Sequence, residues 1–193
     1  MSHRIIAGVD EAGRGPLAGP VVAAACVLPQ NASFPLLTDS KLLSPDQREN
    51  LFEEITQTTL YSIAVVDHET IDQINILKAA LEAMRQAVDT LSVRPHEVLV
   101  DGPHTPFLSM PCEGIVKGDL LEPCISAASI LAKVERDRLM HLFHEQWPMY
   151  QFDKNKGYGT RAHLEALKEY GPCPIHRKTF NPVKQYYEAA LCS

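Results

Sequence analysis

Ile5-Ile6-Ala7-Gly8-Val9-Asp10-Glu11-Ala12-Gly13-Arg14-Gly15 is an apolar run that delivers two adjacent carboxylates and then a glycine-rich turn with one arginine in it. It reads as a strand and its exit. Neighbouring side chains of a strand point to opposite faces, so Asp10 and Glu11 converge on one point only if the backbone bends between them. The glycines that follow make such a bend cheap. Pro16-Leu17-Ala18-Gly19-Pro20 keeps the chain irregular, and Val21 to Leu28 begins a second apolar run. Taken alone, the stretch describes equally well a strand-loop-strand connection whose acids face water, and residues far downstream decide between the two.

Working outward, three runs read as strands: Arg4–Val9, Val21–Leu28 and Leu60–Val66. Between the last two, Ser44-Pro45-Asp46-Gln47 supplies an N-cap hydroxyl, a first-turn proline, an acid for the positive helix end and a capping-box partner. Leu51, Phe52 and Ile55 give that helix its buried side. Ile74, Leu77, Leu81, Met84, Val88 and Leu91 predict one helix from about Ile71 to Leu91, and that stripe is core. Short strands at Val98–Val100 and Gly114–Val116 follow. A helix from about Ile125 to Gln146 starts with small residues (Ser126, Ala127, Ala128, Ser129) that permit close packing on a sheet. After Trp147-Pro148 the chain reads as loop through Gly157-Tyr158-Gly159. A helix over about Thr160 to Tyr170 stops at Gly171-Pro172, and a last one begins near Pro182. A meander followed by alternating strands and helices predicts an α/β fold with a mixed sheet and helices on its faces.

At 193 residues and 45% hydrophobic content, the chain fits one globular domain, or one domain plus a small appendage, with a sizeable core. Its five cysteines are an odd set without CxxC or zinc spacing, as expected of reduced thiols in a cytosolic protein. No secretory leader and no stretch long enough to cross a bilayer is evident, so the expectation is a soluble cytoplasmic protein. The net charge of −6 divides unevenly: residues 151–193 carry +3 and the remainder −9. An acidic centre beside a basic strip suits a nuclease, although an ordinary uneven surface gives the same split.

Three places share one local grammar, an apolar strand ending in an acid beside glycine: Val9-Asp10-Glu11, Val100-Asp101-Gly102 and Lys117-Gly118-Asp119. In α/β sheets, side chains from distant parts of the chain meet at strand ends. A strand-end turn accounts for any one of these acids, so the argument rests on their combination. Brought together, like charges about 4 Å apart repel by on the order of 4 kcal/mol per pair at an effective dielectric of about 20. Such a cluster must bind divalent cations or protonate. Oxygen-only ligands suit Mg²⁺ or Mn²⁺ rather than zinc, and two such ions can serve phosphodiester hydrolysis.

Gly8-Val9-Asp10-Glu11-Ala12-Gly13-Arg14-Gly15-Pro16-Leu17-Ala18-Gly19-Pro20 resembles the signature of ribonuclease HII, the type 2 ribonuclease H. The resemblance continues through Asp39-Ser40-Lys41-Leu42-Leu43-Ser44, Val100-Asp101-Gly102, Lys117-Gly118-Asp119, Ser126 to Val134 with Arg136-Asp137, Gly157-Tyr158-Gly159-Thr160 and His176-Arg177, in family order. It implies an RNase H-like mixed β-sheet flanked by helices, with residues 1–150 as catalytic domain and 151–193 as a small basic helical region that packs on it and contributes to substrate binding. The implied activity is endonucleolytic hydrolysis of RNA in RNA/DNA hybrids and 5′ of single ribonucleotides in duplex DNA, leaving 3′-hydroxyl and 5′-phosphate ends. Misincorporated ribonucleotides and RNA primers would be its substrates in the cell.

Carried over by the resemblance, Asp10, Glu11, Asp101 and Asp119 are the metal-binding catalytic acids. Gly13, Arg14 and Gly15 read the ribose 2′-hydroxyl and its phosphate, and Tyr158 stacks on the sugar at the RNA-to-DNA junction. Ser40 and Lys41 contact a backbone phosphate. Lys154, Lys156, Arg161, Arg177, Lys178 and Lys184 form a positive strip under the duplex. His163 and His176 are structural or phosphate-contacting. Lys133, Arg136 and Asp137 match the motif, while a solvated helix face or a buried ion pair explains them without catalysis. Ribonuclease HIII, a close relative, lacks the Gly-Arg-Gly turn. The expected partner is nucleic acid, with no membrane association and a monomeric state, and no sliding-clamp-binding peptide is evident after the final helix. A hybrid-binding module without catalysis and a ribose-indifferent nuclease of the same superfamily are the competing functions.

Overall fold

Five strands form one sheet: β1 (Ile6–Ala12), β2 (Val21–Val27), β3 (Leu60–Val66), β4 (Glu97–Asp101) and β5 (Cys112–Ile115), in the order β3-β2-β1-β4-β5. The structure, a computed structural model, describes residues 4–29, 34 and 43–191. Strands β1 to β3 are an antiparallel meander, whereas β4 and β5 run parallel to β1. This is the mixed sheet expected from a meander followed by strand-helix alternation.

One face of the sheet is covered by α2 (His68–Ile74) and α3 (Ile76–Asp89), the other by α1 (Pro45–Thr58) and α5 (Pro123–Gln146). The capping box of α1 forms as read: the Ser44 hydroxyl accepts from the Gln47 amide at 3.2 Å, and the Gln47 side chain accepts from the Ser44 amide at 2.8 Å. The single helix expected over 71–91 is instead two. Asn75, at φ 68°, ends α2 and accepts from the Lys78 amide at 3.1 Å to cap α3. With ψ 163° this positive φ lies far from helical geometry, so residue 75 continues neither helix, while its side chain is a good N-cap, and one local break overrides the continuous apolar stripe. The buried face of α3 also differs from the predicted one. Ala79, Ala80, Ala83 and Ala87 meet the sheet beside Met84 and Val88, while Ile74, Leu81 and Leu91 pack only partly buried around them. Small residues let the helix approach closely and the larger ones fill the flanks.

Helix α5 lies directly on β1. A Cβ on Gly8 would sit 2.2 Å from the carbonyl carbon of Cys124, so glycine is required for that approach. Two short helices not expected from the sequence follow the pattern of local turns: α4 (Gly118–Leu121) after β5, and α6 (Phe152–Asn155) after a 3₁₀ turn at Pro148–Tyr150. Helices α7 (Arg161–Tyr170) and α8 (Val183–Leu191) complete the chain near the predicted places. Residues from 151 onward share apolar clusters with the rest of the chain, with Phe152, Ala166, Cys173 and Ile175 packed against Ala18 and Met140. Among the described residues no helix is long and apolar enough to cross a membrane.

Candidate active site

The last parallel pair between β1 and β4 is Val9 with Val100. One step further the register sets Asp10 beside Asp101 on the face that carries α5. Side chains paired in a parallel ladder lie on the same face, so adjacent strand ends present these two carboxyls together. The expected bend between Asp10 and Glu11 is absent, because both stay paired with β2, opposite Ala24 and Ala23. Both nevertheless line one cleft. Beyond Asp10 the β4 side of β1 has no strand neighbour, so Glu11 lies along an open edge. Asp119 joins from α4, whose preceding residue Lys117 is left-handed at φ 60°, and its amide donates to the Asp101 carboxylate at 3.3 Å.

The resulting cleft, about 500 Å³, is lined by Asp10, Glu11, Asp101 and Asp119 together with Gly13, Arg14, Gly15 and Tyr158. A Cβ on Gly15 would lie 3.3 Å from the Tyr158 ring, so the tyrosine stands against the glycine turn. Ser40 and Lys41 lie outside the described residues.

The electrostatics of the cleft are strained by design of its acids. Burial, then Glu11 and Asp101, push Asp10 well above the usual carboxylate range; a Ser129 hydrogen bond and the Glu11 amide, at 2.7 Å, oppose this. Burial also raises Glu11, against the pull of Arg14, which donates to Glu11 Oε1 at 3.2 Å. The other oxygen, Oε2, is buried without a hydrogen-bond partner. Among the described residues no three His, Cys, Asp or Glu side chains already stand in chelating geometry. The donor set still fits a hard divalent cation: all donors are oxygens, one buried oxygen is unpartnered, and one carboxyl is held toward its neutral form by burial and by its acidic neighbours.

Sequence reasoning did not place Ser129 or Arg48 in this cleft, yet both line it, with Lys133 and Arg136. A signal was present: Ser126, Ser129, Lys133 and Arg136 form a polar stripe along one side of an otherwise buried helix. Lys133 is paired with Asp137, both oxygens within 2.7 Å. Arg136 is neither solvated nor ion-paired among the described residues. It is buried and donates to the carbonyls of Pro20, Lys156 and Ala18 at 3.0 to 3.3 Å.

The expected basic strip needs a similar correction. Arg177 is fully buried beneath the Gly13–Pro20 loop, donating to the carbonyls of Gly13, Arg14, Pro16, Gly19 and Pro20. A guanidinium with five donors matches a turn of inward-facing carbonyls, so this arginine is internal scaffold. Arg161 and Lys184 pair with Glu165 and Glu188 on their own helices, and Lys178 lies over the Tyr187 ring. Lys154 and Lys156 line a second groove that shares Arg48 and Lys133 with the cleft. His163 and His176 are buried and bonded to each other, hence structural rather than phosphate-contacting.

A mixed sheet with carboxylates at the ends of adjacent strands, covered by helices on both faces, is the architecture of the ribonuclease H class of hydrolases. The ribonuclease HII family model matches residues 7–183, and the chain belongs to that family. It is 57% identical over 179 residues to the ribonuclease HII of Syntrophus aciditrophicus (strain SB), covering 92% of this chain and 84% of the relative. It is likewise 57% identical over 182 residues to that of Idiomarina loihiensis, covering 94% and 97%. Among solved structures, the ribonuclease H2 from Pyrococcus horikoshii OT3 superposes with a TM-score of 0.80 at 28% identity, covering 98% of this chain and 100% of that one.

Proposed function

We propose that the protein cleaves the RNA strand of RNA/DNA hybrids and the 5′ side of single ribonucleotides embedded in duplex DNA, leaving 3′-hydroxyl and 5′-phosphate ends. The observation that carries this reading is the meeting, in one cleft, of four acids, the Gly13-Arg14-Gly15 turn and Tyr158. The acids alone suit any phosphodiesterase. The turn and the ring add a means of reading the sugar, since a 2′-hydroxyl is the one group that marks a ribonucleotide within DNA.

In this reading Asp10, Glu11, Asp101 and Asp119 hold two divalent cations, Mg²⁺ or Mn²⁺. When bound, these supply Lewis acidity and offset charge building on the phosphate. The chain's own residues do the rest. Asp10, fixed by Ser129 and the Glu11 amide, keeps one carboxylate in place. Gly13 to Gly15 bring backbone groups against the ribose, with Arg14 beside its phosphate. Tyr158 packs on the next sugar, where an extra hydroxyl would clash. Lys154 and Lys156 extend the positive surface along the duplex, which adds affinity without sequence preference. Ser40 and Lys41 enter as phosphate contacts from the resemblance alone. Residues 151–193 thus serve as a substrate-binding region packed on a catalytic body, in a monomer that acts in the cytoplasm on misincorporated ribonucleotides and primers.

The test is cleavage of a DNA duplex containing one ribonucleotide, with Mg²⁺ and separately with Mn²⁺, mapped on a sequencing gel. One cut 5′ of the ribonucleotide, absent from an all-DNA control, is expected. Hybrid binding without hydrolysis in either metal overturns the enzyme reading, and cutting of all-DNA duplex overturns the ribose reading.

A further inference from the structure

Behind the Tyr158 turn lies a chain of hydrogen bonds that the proposed chemistry does not use. The Cys173 amide N–H points at Nδ1 of His176, 2.9 Å away. Nδ1 also lies 3.2 Å from the Cys173 carbonyl oxygen, but that oxygen already accepts the His176 amide at 3.0 Å, and a nitrogen that accepts an N–H carries no hydrogen itself, so neutral His176 holds its proton on Nε2. That Nε2 lies 2.9 Å from Nε2 of His163. It donates there, which leaves His163 Nε2 bare and puts the second proton on Nδ1. His163 Nδ1 is 2.9 Å from the carbonyl oxygen of Tyr158, the acceptor such a donor requires. The whole sequence therefore has one polarity, from the Cys173 amide through two rings to the Tyr158 carbonyl.

The polarity holds only while both rings are neutral, since a third proton would set two N–H groups head to head. Their surroundings favour that state. Both histidines are fully buried, Tyr150 and Phe152 close edge-on around them, and among the described residues no carboxylate is bonded to either. The segment they anchor is the one whose side chain stands against Gly15. Tyr158 itself is 47% exposed, so little packing fixes its ring. Its carbonyl has two donors, Thr160 N at 2.7 Å within the turn and His163 from the core. Of these two only the second reaches beyond the turn at Tyr158 itself; the turn's other tie, the Leu17 amide donating to the Gly157 carbonyl at 2.8 Å, holds its first residue and leaves Tyr158 to His163.

We propose that His163 and His176 are positioning residues for Tyr158: the directed pair holds the Gly157-Tyr158-Gly159 turn over the Gly13-Arg14-Gly15 turn and thereby sets selectivity for the RNA-to-DNA step. The proposal rests on the reading of Tyr158 as the residue that senses that step.

Two substitutions separate positioning from mere support. His163→Asn places an amide donor where Nδ1 was, keeping the bond to the Tyr158 carbonyl while leaving His176 Nε2–H unpartnered in the core. His163→Gln reaches His176 but gives up the Tyr158 carbonyl. Leaving a buried donor unmade costs more than losing one of two donors to a carbonyl, so His163→Asn is the less stable variant. Selectivity is expected in the opposite order. The ratio of kcat/KM on the single-ribonucleotide duplex to that on continuous hybrid falls about fivefold in His163→Gln, the worth of one neutral hydrogen bond, and stays near wild type in His163→Asn. Tyr158→Ala, measured alongside, loses the ratio at least as strongly. A ratio that follows stability, or stays put in His163→Gln while collapsing in Tyr158→Ala, overturns the positioning role alone. An unchanged ratio in Tyr158→Ala overturns the reading of Tyr158 and the proposal with it. Should a variant fail to fold, the ring-nitrogen NMR spectrum of the unmodified protein decides. His163 protonated on Nδ1 and His176 on Nε2 supports the proposal, and any other tautomers or a charged ring overturn it.

Discussion

Lowering the pH should destabilise this protein through its buried histidines before its ordinary carboxylates are reached. Burial, with His163 beside it, pulls His176 from 6.5 down to about 4. The native ring refuses a proton that the unfolded ring accepts, so the contribution is complete above the unfolded value and is lost as pH falls from 6.5 toward 4. Near pH 5 almost every unfolded chain carries the proton and few native ones do, which costs the native state about 2 kcal/mol relative to pH 7.5. His163, lowered by burial as well, acts in the same direction. Asp10 and Glu11 act oppositely, because their raised carboxyls keep protons in the native state that the unfolded chain releases. The clean measurement is therefore made in an Asp10→Asn, Glu11→Gln background without metal. Urea unfolding at pH 7.5 and pH 5 should show a fall of at least about 2 kcal/mol, and stopping at pH 5 keeps Asp67 and Glu82, both lowered, out of the result. A difference below about 0.5 kcal/mol would mean that the rings are not held neutral and would refute the reasoning.

Asp10→Asn, and separately Asp101→Asn, should abolish cleavage in either metal, while Asp10→Asn raises the metal-free melting temperature by removing a buried charge from among like neighbours; retained activity takes that residue out of the site. Gly8→Ala should cost at least about 2 kcal/mol in urea unfolding, since its Cβ would fall 2.2 Å from the α5 backbone, and a neutral result means that α5 can retreat from β1. Asn75→Ala should cost about 1 to 2 kcal/mol from a lost cap and a left-handed residue, with Asn75→Gly recovering most of it; equal losses in the two would put the whole effect in the cap.

Much of this was legible because the deciding signals are local. The capping box at Ser44, the glycine stop at Gly171 and the strand-end acids each declare themselves within a few residues. The break at Asn75 was local too, but it competes with a stripe of apolar residues that runs through it without interruption, and periodicity carries no mark of a single left-handed residue. Arg177 was misread for a different reason. A basic residue in a basic segment looks solvated, and what buries it is a loop more than 150 positions earlier whose carbonyls leave no trace in side-chain identity. The same holds for Ser129, whose link to Asp10 exists only once α5 lies on β1. The four acids converge for a legible reason, namely that parallel neighbours end together, but their burial and the orphaned oxygen of Glu11 belong to the packing.

The two buried arginines explain how a loop of glycines and prolines can hold a defined surface. Neither is ion-paired among the described residues, and burial lowers Arg136 to about 10 and Arg177 to about 9, so both remain cations at neutral pH. A buried charge is tolerable only if fully bonded, and together they receive the carbonyls of Gly13, Arg14, Pro16, Ala18, Gly19 and Pro20. A trans peptide sets its C=O and the next N–H in opposite directions. Turning the carbonyl of Pro16 toward Arg177 must send the Leu17 amide away from it, and that amide indeed donates to Gly157 at 2.8 Å. By the same geometry the carbonyls of Gly13 and Arg14, held by Arg177, send the amides of Arg14 and Gly15 away from it, on residues that line the cleft. Side chains there would crowd the approach, and at Gly13, with φ +102°, a Cβ would fall 2.0 Å from Arg136 Nε. Two amide donors backed by two buried positive charges give this turn partial positive character, and its residues line the same cleft as the four acids. In the proposed function the turn is the side that would meet the substrate phosphate and the acids the side that would meet the cations, a division of charge suited to phosphodiester hydrolysis.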